Sequence, residues 1–231
     1  MSVTDDFSFT VEPAVKKWGL KVRGVVISGV ANSTYPTELK ELLKKRSAAV
    51  LAGLDPENYK QDEILQGFWH LHEQLQIRRR DNRSSSESLL RLLLNKGHLF
   101  QIDPIVDIYN LISIETKLAL GAHDIDKIGG AKVQLKITDG TENYAPLGSH
   151  KAKKVKAGEY CYVDGDNDVI CRLEVKQVNK TKITADSKDI FYIVEGNEAT
   201  SDDYLNRVSN ELVEITTKYL GGKGKILDSE D

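Results

Sequence analysis

The hydrophobic period of this chain changes sharply near Gly121, and that change constrains the fold more than any single motif. After one β-branched run near the start, apolar residues recur at helical spacing up to that point. They alternate as in strands from Gly129 to about Gly196, and helical spacing returns in the stretch DDYLNRVSNELVEITTKYL. Neither an internal repeat nor a convincing linker divides these zones. The expectation is therefore an α+β fold built as one compact unit, with residues 1–83 as its N-terminal α/β part, 84–220 as its core and 221–231 as a frayed tail.

Within the helical zone the start and stop signals can be read individually. The β-branched run LKVRGVVISGV predicts a strand, after which Leu39, Leu42, Leu43 and Val50 mark a helix that stops near Gly53. Asp55 and Pro56 then have the pattern of an N-cap and first helical residue, ahead of the stripe Ile64, Phe68, Leu71 and Leu75. Ser84 with Glu87 forms a capping box before LLRLLL, and Gly97 closes that helix. Asp103 and Pro104 repeat the cap signal before Ile105, Ile108, Ile112 and Leu118, with Gly121 as the expected stop. In the β zone VQLKI, YCYVD, VICRLEV and IFYIVEG are the strand candidates, the second and third flanking the turn DGDND. Cys161 and Cys171 fall on those two strands, and buried, reduced thiols are the expectation there.

Composition enters where partners are concerned. At 231 residues and 40% hydrophobic content the chain can bury a sizeable core, and no apolar run approaches the ~18 residues of a membrane span. The N-terminus MSVTDDFSFT has no leader pattern, so a cytoplasmic location without membrane association is expected. A net charge of −3 means that a nucleic acid would have to be held by local basic patches. Two qualify: Arg78, Arg79, Arg80 and Arg83, and Lys151, Lys153, Lys154 and Lys156. Either could equally be a solvated face.

The common catalytic templates are missing: no Walker loop, GxSxG elbow, HExxH or CxxC occurs, and His70 and His72 lack helical metal-ligand spacing. No metal or other cofactor is expected. The dense polar stretch Asp107, Tyr109, Asn110, Ser113, His123, Asp124 and Asp126 stands out, read as one helix and the loop after it. On spacing alone these residues could simply cap helices and tie the Gly121–Gly130 loop.

The segment IDPIVDIYNLISIETKLALGAHDIDKIGG resembles the B3/B4 region of the β subunit of bacterial phenylalanyl-tRNA synthetase through Asp107, Asn110, Gly121, Asp124, Asp126, Lys127, Ile128, Gly129 and Gly130. SESLLRLLLNKGHL upstream and TKITADSKDIFYIVEG downstream are similar to its flanking helix, threonine-bearing turn and glutamate-ending strand, so the likeness covers about residues 84–200. The whole chain looks still more like stand-alone proteins built around this domain. The resemblance implies a B3/B4-like fold, with a mixed or antiparallel sheet packed with helices, and a tRNA-linked editing function: the synthetase domain removes tyrosine misattached to the phenylalanine tRNA. Gly121 occupies the place of the family's editing-site histidine, and His123 lies two residues later. The glutamate of the last strand is also shifted by two, to Glu195, which keeps it on the same strand face.

On this footing the expected activity is hydrolysis of the ester of a mischarged tRNA, with aminoacylated tRNA as partner and an aminoacyl-tRNA synthetase as a second candidate partner. His123 and Gly121 are the catalytic candidates, the imidazole orienting water or moving a proton and the glycine backbone helping to hold the oxyanion. Asn110, Ser113 and Glu195 are candidates for reading the attached side chain. Asp107, Asp124, Gly129 and Gly130 complete the expected substrate-binding set. Assistance by a ribose hydroxyl, with no side-chain base, is the competing mechanism. A non-catalytic tRNA- or RNA-binding module and an amino-acid-binding protein remain as alternative functions.

Overall fold

The computed structural model describes residues 4, 6–78, 82–149 and 151–227. Strands β1 (Ser8–Val11) and β2 (Lys21–Ser28) flank a short helix α1 (Pro13–Lys16). Helices α2 (Thr37–Gly53), α3 (Glu63–Gln74), α4 (Ser85–Lys96) and α5 (Pro104–Thr116) come next. Then come β3 (Ala119–Asp124), β4 (Lys132–Ile137), the ribbon strands β5 (Asn143–Tyr144) and β6 (Lys153–Lys154), and β7 (Tyr160–Asp164). The chain ends with β8 (Val169–Arg172), β9 (Lys176–Gln177), β10 (Ile190–Gly196), α6 (Asp202–Leu220) and β11 (Lys223–Leu227).

Two sheets face each other. One is five-stranded, in the order β1-β4-β7-β8-β9, and is mixed because β1 runs parallel to β4 while the other pairs are antiparallel. The other is four-stranded and antiparallel, in the order β11-β2-β10-β3. Alternation divides β10 cleanly: Phe191 and Ile193 join the core between the sheets, whereas Ile190, Tyr192 and Val194 join the core under the helices. That second core is completed by Ile105, Ile108 and Ile112 of α5 and by Leu205, Val208 and Leu212 of α6. Rings fill the space between the sheets, with Phe9 5.4 Å from Phe191 and 6.2 Å from Tyr162 between centroids. The α+β expectation therefore holds, and both mixed and antiparallel pairing occur.

Three local expectations are corrected. Asp55 accepts from the backbone N–H groups of Glu57 and Asn58 but heads a turn, not a helix; α3 begins only after its own cap, Asp62. Gly121 does not end a helix, because α5 stops at Thr116 with Lys117 in the left-handed conformation, and Gly121 lies inside β3. The segment after Gly221 is not frayed throughout: Lys223–Leu227 pairs with β2 and supplies the sheet edge. Cys161 and Cys171 are free and buried on β7 and β8. No helix among the described residues is long and apolar enough to cross a membrane.

Candidate functional site

Strand β3 is an edge strand, and the elements that meet beside it leave a cavity of 290 Å³. Helix α4 contributes Ser85 and Ser88, α5 contributes Tyr109 and Asn110, and the inner face of the four-stranded sheet contributes Gly121 and Glu195. The opposite wall is Tyr162, Cys171, Glu174 and Gln177. Each element is fixed by a legible device. Ser84 Oγ accepts from the Glu87 N–H at 3.2 Å, but the Glu87 carboxylate does not return to the cap; it accepts from Trp69 Nε1 at 2.8 Å. Asp103 caps α5 by accepting from the N–H groups of Ile105 and Val106.

The floor is unusual for a space between two sheets, because it holds two carboxyl groups whose side chains are inaccessible to solvent. Tyr160 Oη sits between Glu174 Oε2 and Glu195 Oε1, the latter at 2.9 Å, and Tyr162 Oη bonds to Glu195 Oε2. His72 Nε2 of α3 lies 2.8 Å from Glu174 Oε1, out of line for a hydrogen bond, so the contact is ionic. Burial pulls the His72 imidazole down, but the Glu174 charge outweighs it and its pKa stands above the ordinary value. Burial pushes Glu174 up, and His72 outweighs that in turn, leaving Glu174 below the usual range. Glu195 has no cation; burial, with the Glu174 charge adding to it, holds it well above the carboxylate range. At neutral pH the consistent arrangement has Glu174 ionised against His72 and Glu195 carrying a proton. The acid proton of Glu195 then donates to Tyr160, whose own hydroxyl donates to Glu174.

Of the residues expected from sequence, Asn110, Gly121 and Glu195 come together on this cavity. An ideal Cβ on Gly121 would stand 3.0 Å from Gln177 Nε2, so the glycine keeps this space open. His123 does not reach it. Although it shares the Gly121 face of β3, it lies deeper between the sheets, with Nδ1 2.8 Å from Thr181 Oγ1 and Nε2 buried without a partner. Burial drives its pKa down to about 3, so it is a neutral core imidazole, not an imidazolium acid, and it does not line the cavity. Ser113 is also elsewhere: its Oγ donates to the Leu118 carbonyl at 2.6 Å and closes the end of α5.

Gly129 and Gly130 are withdrawn too. The Gly129 N–H donates to Asp164 Oδ2 at 2.9 Å, its carbonyl accepts from Gly165 N–H, and Lys180 gathers Asp164, Asp166 and Asp168 beside them. These glycines pack a loop against the DGDND turn and have no N–H aimed at the cavity. Asp124 caps the turn after β3 and accepts from Ser187 Oγ at 2.7 Å, with Lys127 Nζ at 2.8 Å. Asp107 lines a separate cavity, where it accepts from Tyr35 Oη at 2.7 Å. Sequence reasoning missed His72, Tyr160, Tyr162, Glu174 and Gln177, which stand outside the polar stretch; the alternation of YCYVD was the only signal that put the two tyrosines on one face.

The basic clusters supply no residue to the cavity lining among the described residues. Arg83 directly precedes α4, with Nε 3.8 Å from Glu87 Oε1, and Arg78 is exposed; Arg79 and Arg80 lie outside the described residues. Lys151, Lys153 and Lys156 are exposed on the β5–β6 ribbon, while Lys154 Nζ is drawn back to Thr141 O at 2.6 Å. The ribbon's turn carries Leu147 to the cavity mouth, where its N–H donates to the Gln177 carbonyl.

Residues 75–212 match the B3/4 domain family. Among solved structures, an N-terminal fragment of the phenylalanyl-tRNA synthetase beta-subunit from Pyrococcus horikoshii is similar over 98% of this chain and 55% of that one, with 14% identity and a TM-score of 0.49. The chain thus spans about half the length of that fragment. No curated protein matches the sequence.

Proposed function

Starting from a chain that belongs to the B3/4 domain family, we propose that it hydrolyses the ester linking a wrongly attached amino acid to tRNA. The observation that carries this reading is the acid-floored cavity bounded by Asn110, Gly121 and Glu195. Such an ester is already activated, so the protein has only to orient water, stabilise the oxyanion and exclude poor substrates. With His123 outside the cavity, water is oriented by the side-chain amides of Asn110 and Gln177, and the ribose hydroxyl of the substrate relays the proton. A neutral Glu195, held between two phenols, can donate to or accept from a hydroxyl on the attached side chain. An amino acid lacking that hydroxyl would leave the floor unpaired, which disfavours it strongly. Arg83 next to the cap of α4 and the exposed lysines of the β5–β6 ribbon suit the phosphates of the acceptor arm.

The test is release of labelled amino acid from a panel of mischarged tRNAs by wild type and by Glu195→Gln. Wild type is expected to release hydroxyl-bearing amino acids selectively, and the variant to lose at least about tenfold of that discrimination. Binding of tRNA without release of any amino acid would instead establish a non-catalytic binding module, the reading favoured by the lack of a histidine among the described residues that line this cavity.

A further inference from the structure

A second cavity, of 250 Å³, lies between α2, the segment after α4 and α5. Asn110 lines it as well as the acid-floored cavity, so one side chain is common to both. Its chemistry is the reverse of its neighbour's. Lys40 and Lys44, four residues apart on α2, present two exposed ammonium groups on one helix face. Tyr35 forms a wall, with Lys40 Nζ 4.9 Å from its ring centroid. Phe100 is a 51% exposed aromatic residue of the lining, and the His98 ring lies perpendicular to it at 6.1 Å between centroids. Among the described residues the lining's one carboxyl is Asp107, raised by burial and already accepting from Tyr35 and the Ile102 N–H, and Ser47 and Gln101 add neutral polar groups. Tyr35, Lys40 and Lys44 all precede residue 75, so this side of the cavity is supplied by chain outside the matched domain.

We propose that this cavity seats a nucleoside together with its phosphate: the unpaired terminal nucleotide of the RNA whose ester enters the neighbouring cavity. The proposal rests on the hydrolytic reading for the identity of that RNA. The base stacks on Phe100, as bases do on exposed aromatic faces irrespective of sequence, and Lys40 and Lys44 take the phosphate. Asn110, common to both cavities, stands where the ribose would join the two parts of the substrate. An apolar peptide would use Phe100 but has no need of the paired lysines, and an inorganic anion would use the lysines but not the ring.

Adenosine 5′-monophosphate is the probe, titrated into the full-length protein and monitored by NMR, with Phe100→Ala, Lys40→Ala and Glu195→Gln as variants. Saturable shifts in the cavity are expected, weakened about fivefold or more by either of the first two substitutions and unchanged by the third. Both residues are exposed, so circular dichroism should report an intact fold. No shifts, shifts elsewhere, or shifts retained in both Phe100→Ala and Lys40→Ala overturn the proposal; so does equal weakening by inorganic phosphate competition in wild type and Phe100→Ala. Release from mischarged tRNA separates the two readings. Nucleotide binding without release would leave the seat standing and remove the hydrolysis, and release with no nucleotide seat would do the converse.

Discussion

Two ionisable residues on one sheet face, His123 and Glu195, illustrate how far a local environment decides chemistry. Both point between the sheets, but Glu195 reaches the cavity and His123 stops among Phe191 and Thr181. With a folded pKa of about 3 against an ordinary value of 6.5, the imidazole favours folding only while neutral. Its contribution is fully present above pH ~6.5 and is lost as pH falls towards the folded value, at ~1.4 kcal/mol per pH unit over that range. Urea unfolding of wild type and His123→Gln at pH 7 and 5.5 should show the acid loss attenuated in the variant. Release from mischarged tRNA per folded molecule should be unchanged; a large drop would return the histidine to the mechanism. The sequence made Asn110, Gly121 and Glu195 legible because a motif and a two-residue strand period place them. His123 was read in the loop after a helix, whereas pairing with β10 puts it inside β3 opposite Phe191, deep between the sheets.

At the scale of elements, the same dipeptide had two outcomes. Asp103-Pro104 heads α5, whereas Asp55-Pro56 heads only a turn, and the difference lies in the residues just downstream. Ile105 and Ile108 offer a buried face within the first turn, while Glu57, Asn58, Lys60 and Gln61 leave only the partly buried Tyr59 to pack before Ile64. Asp103 is additionally tied to Asn32 Nδ2 at 2.8 Å. Asp103→Ala is therefore expected to cost about 1–2 kcal/mol in urea unfolding, and Asp55→Ala to leave the midpoint unchanged. Equal effects would mean that the cap acts without its apolar stripe. Strand β3 was illegible for a related reason: KLALGAHD carries no clean alternation, and pairing with β10, a tertiary contact, makes it a strand. The edge strand β11 was hidden likewise, since GGKGKIL acquires its order from pairing with β2 and packing on α6.

For the whole molecule the decisive feature is that one buried polar group joins three layers. Tyr160, Tyr162 and Glu174 come from the five-stranded side, Glu195 from the four-stranded sheet, and His72 from α3. An ion pair so deep need not stabilise more than apolar side chains of the same volume, but it cannot lose one partner cheaply. His72→Leu leaves Glu174 charged and buried, or forces it to take up a proton beside Glu195. A loss of roughly 3–5 kcal/mol in urea unfolding is expected, and His72→Leu with Glu174→Leu should recover a good part of it. The pH profile gives an independent reading of the same pair. Glu174 sits below its ordinary value of 4.5, so its share is present above that pH and lost as pH falls through the folded value. His72 sits above 6.5, although Arg172 opposes the shift, so its share is present below that pH and lost as pH rises through the folded value. The pair's contribution should therefore be greatest between about pH 4.5 and 6.5. Subtracting the profile of the double variant from that of wild type removes the opposing titration of His123, while Glu195, which the Glu174 charge helps to hold high, titrates outside this window. A difference profile that peaks in that window supports an ion pair connecting helix and sheets, and a flat one means that His72 and Glu174 meet as neutral groups and share a single proton.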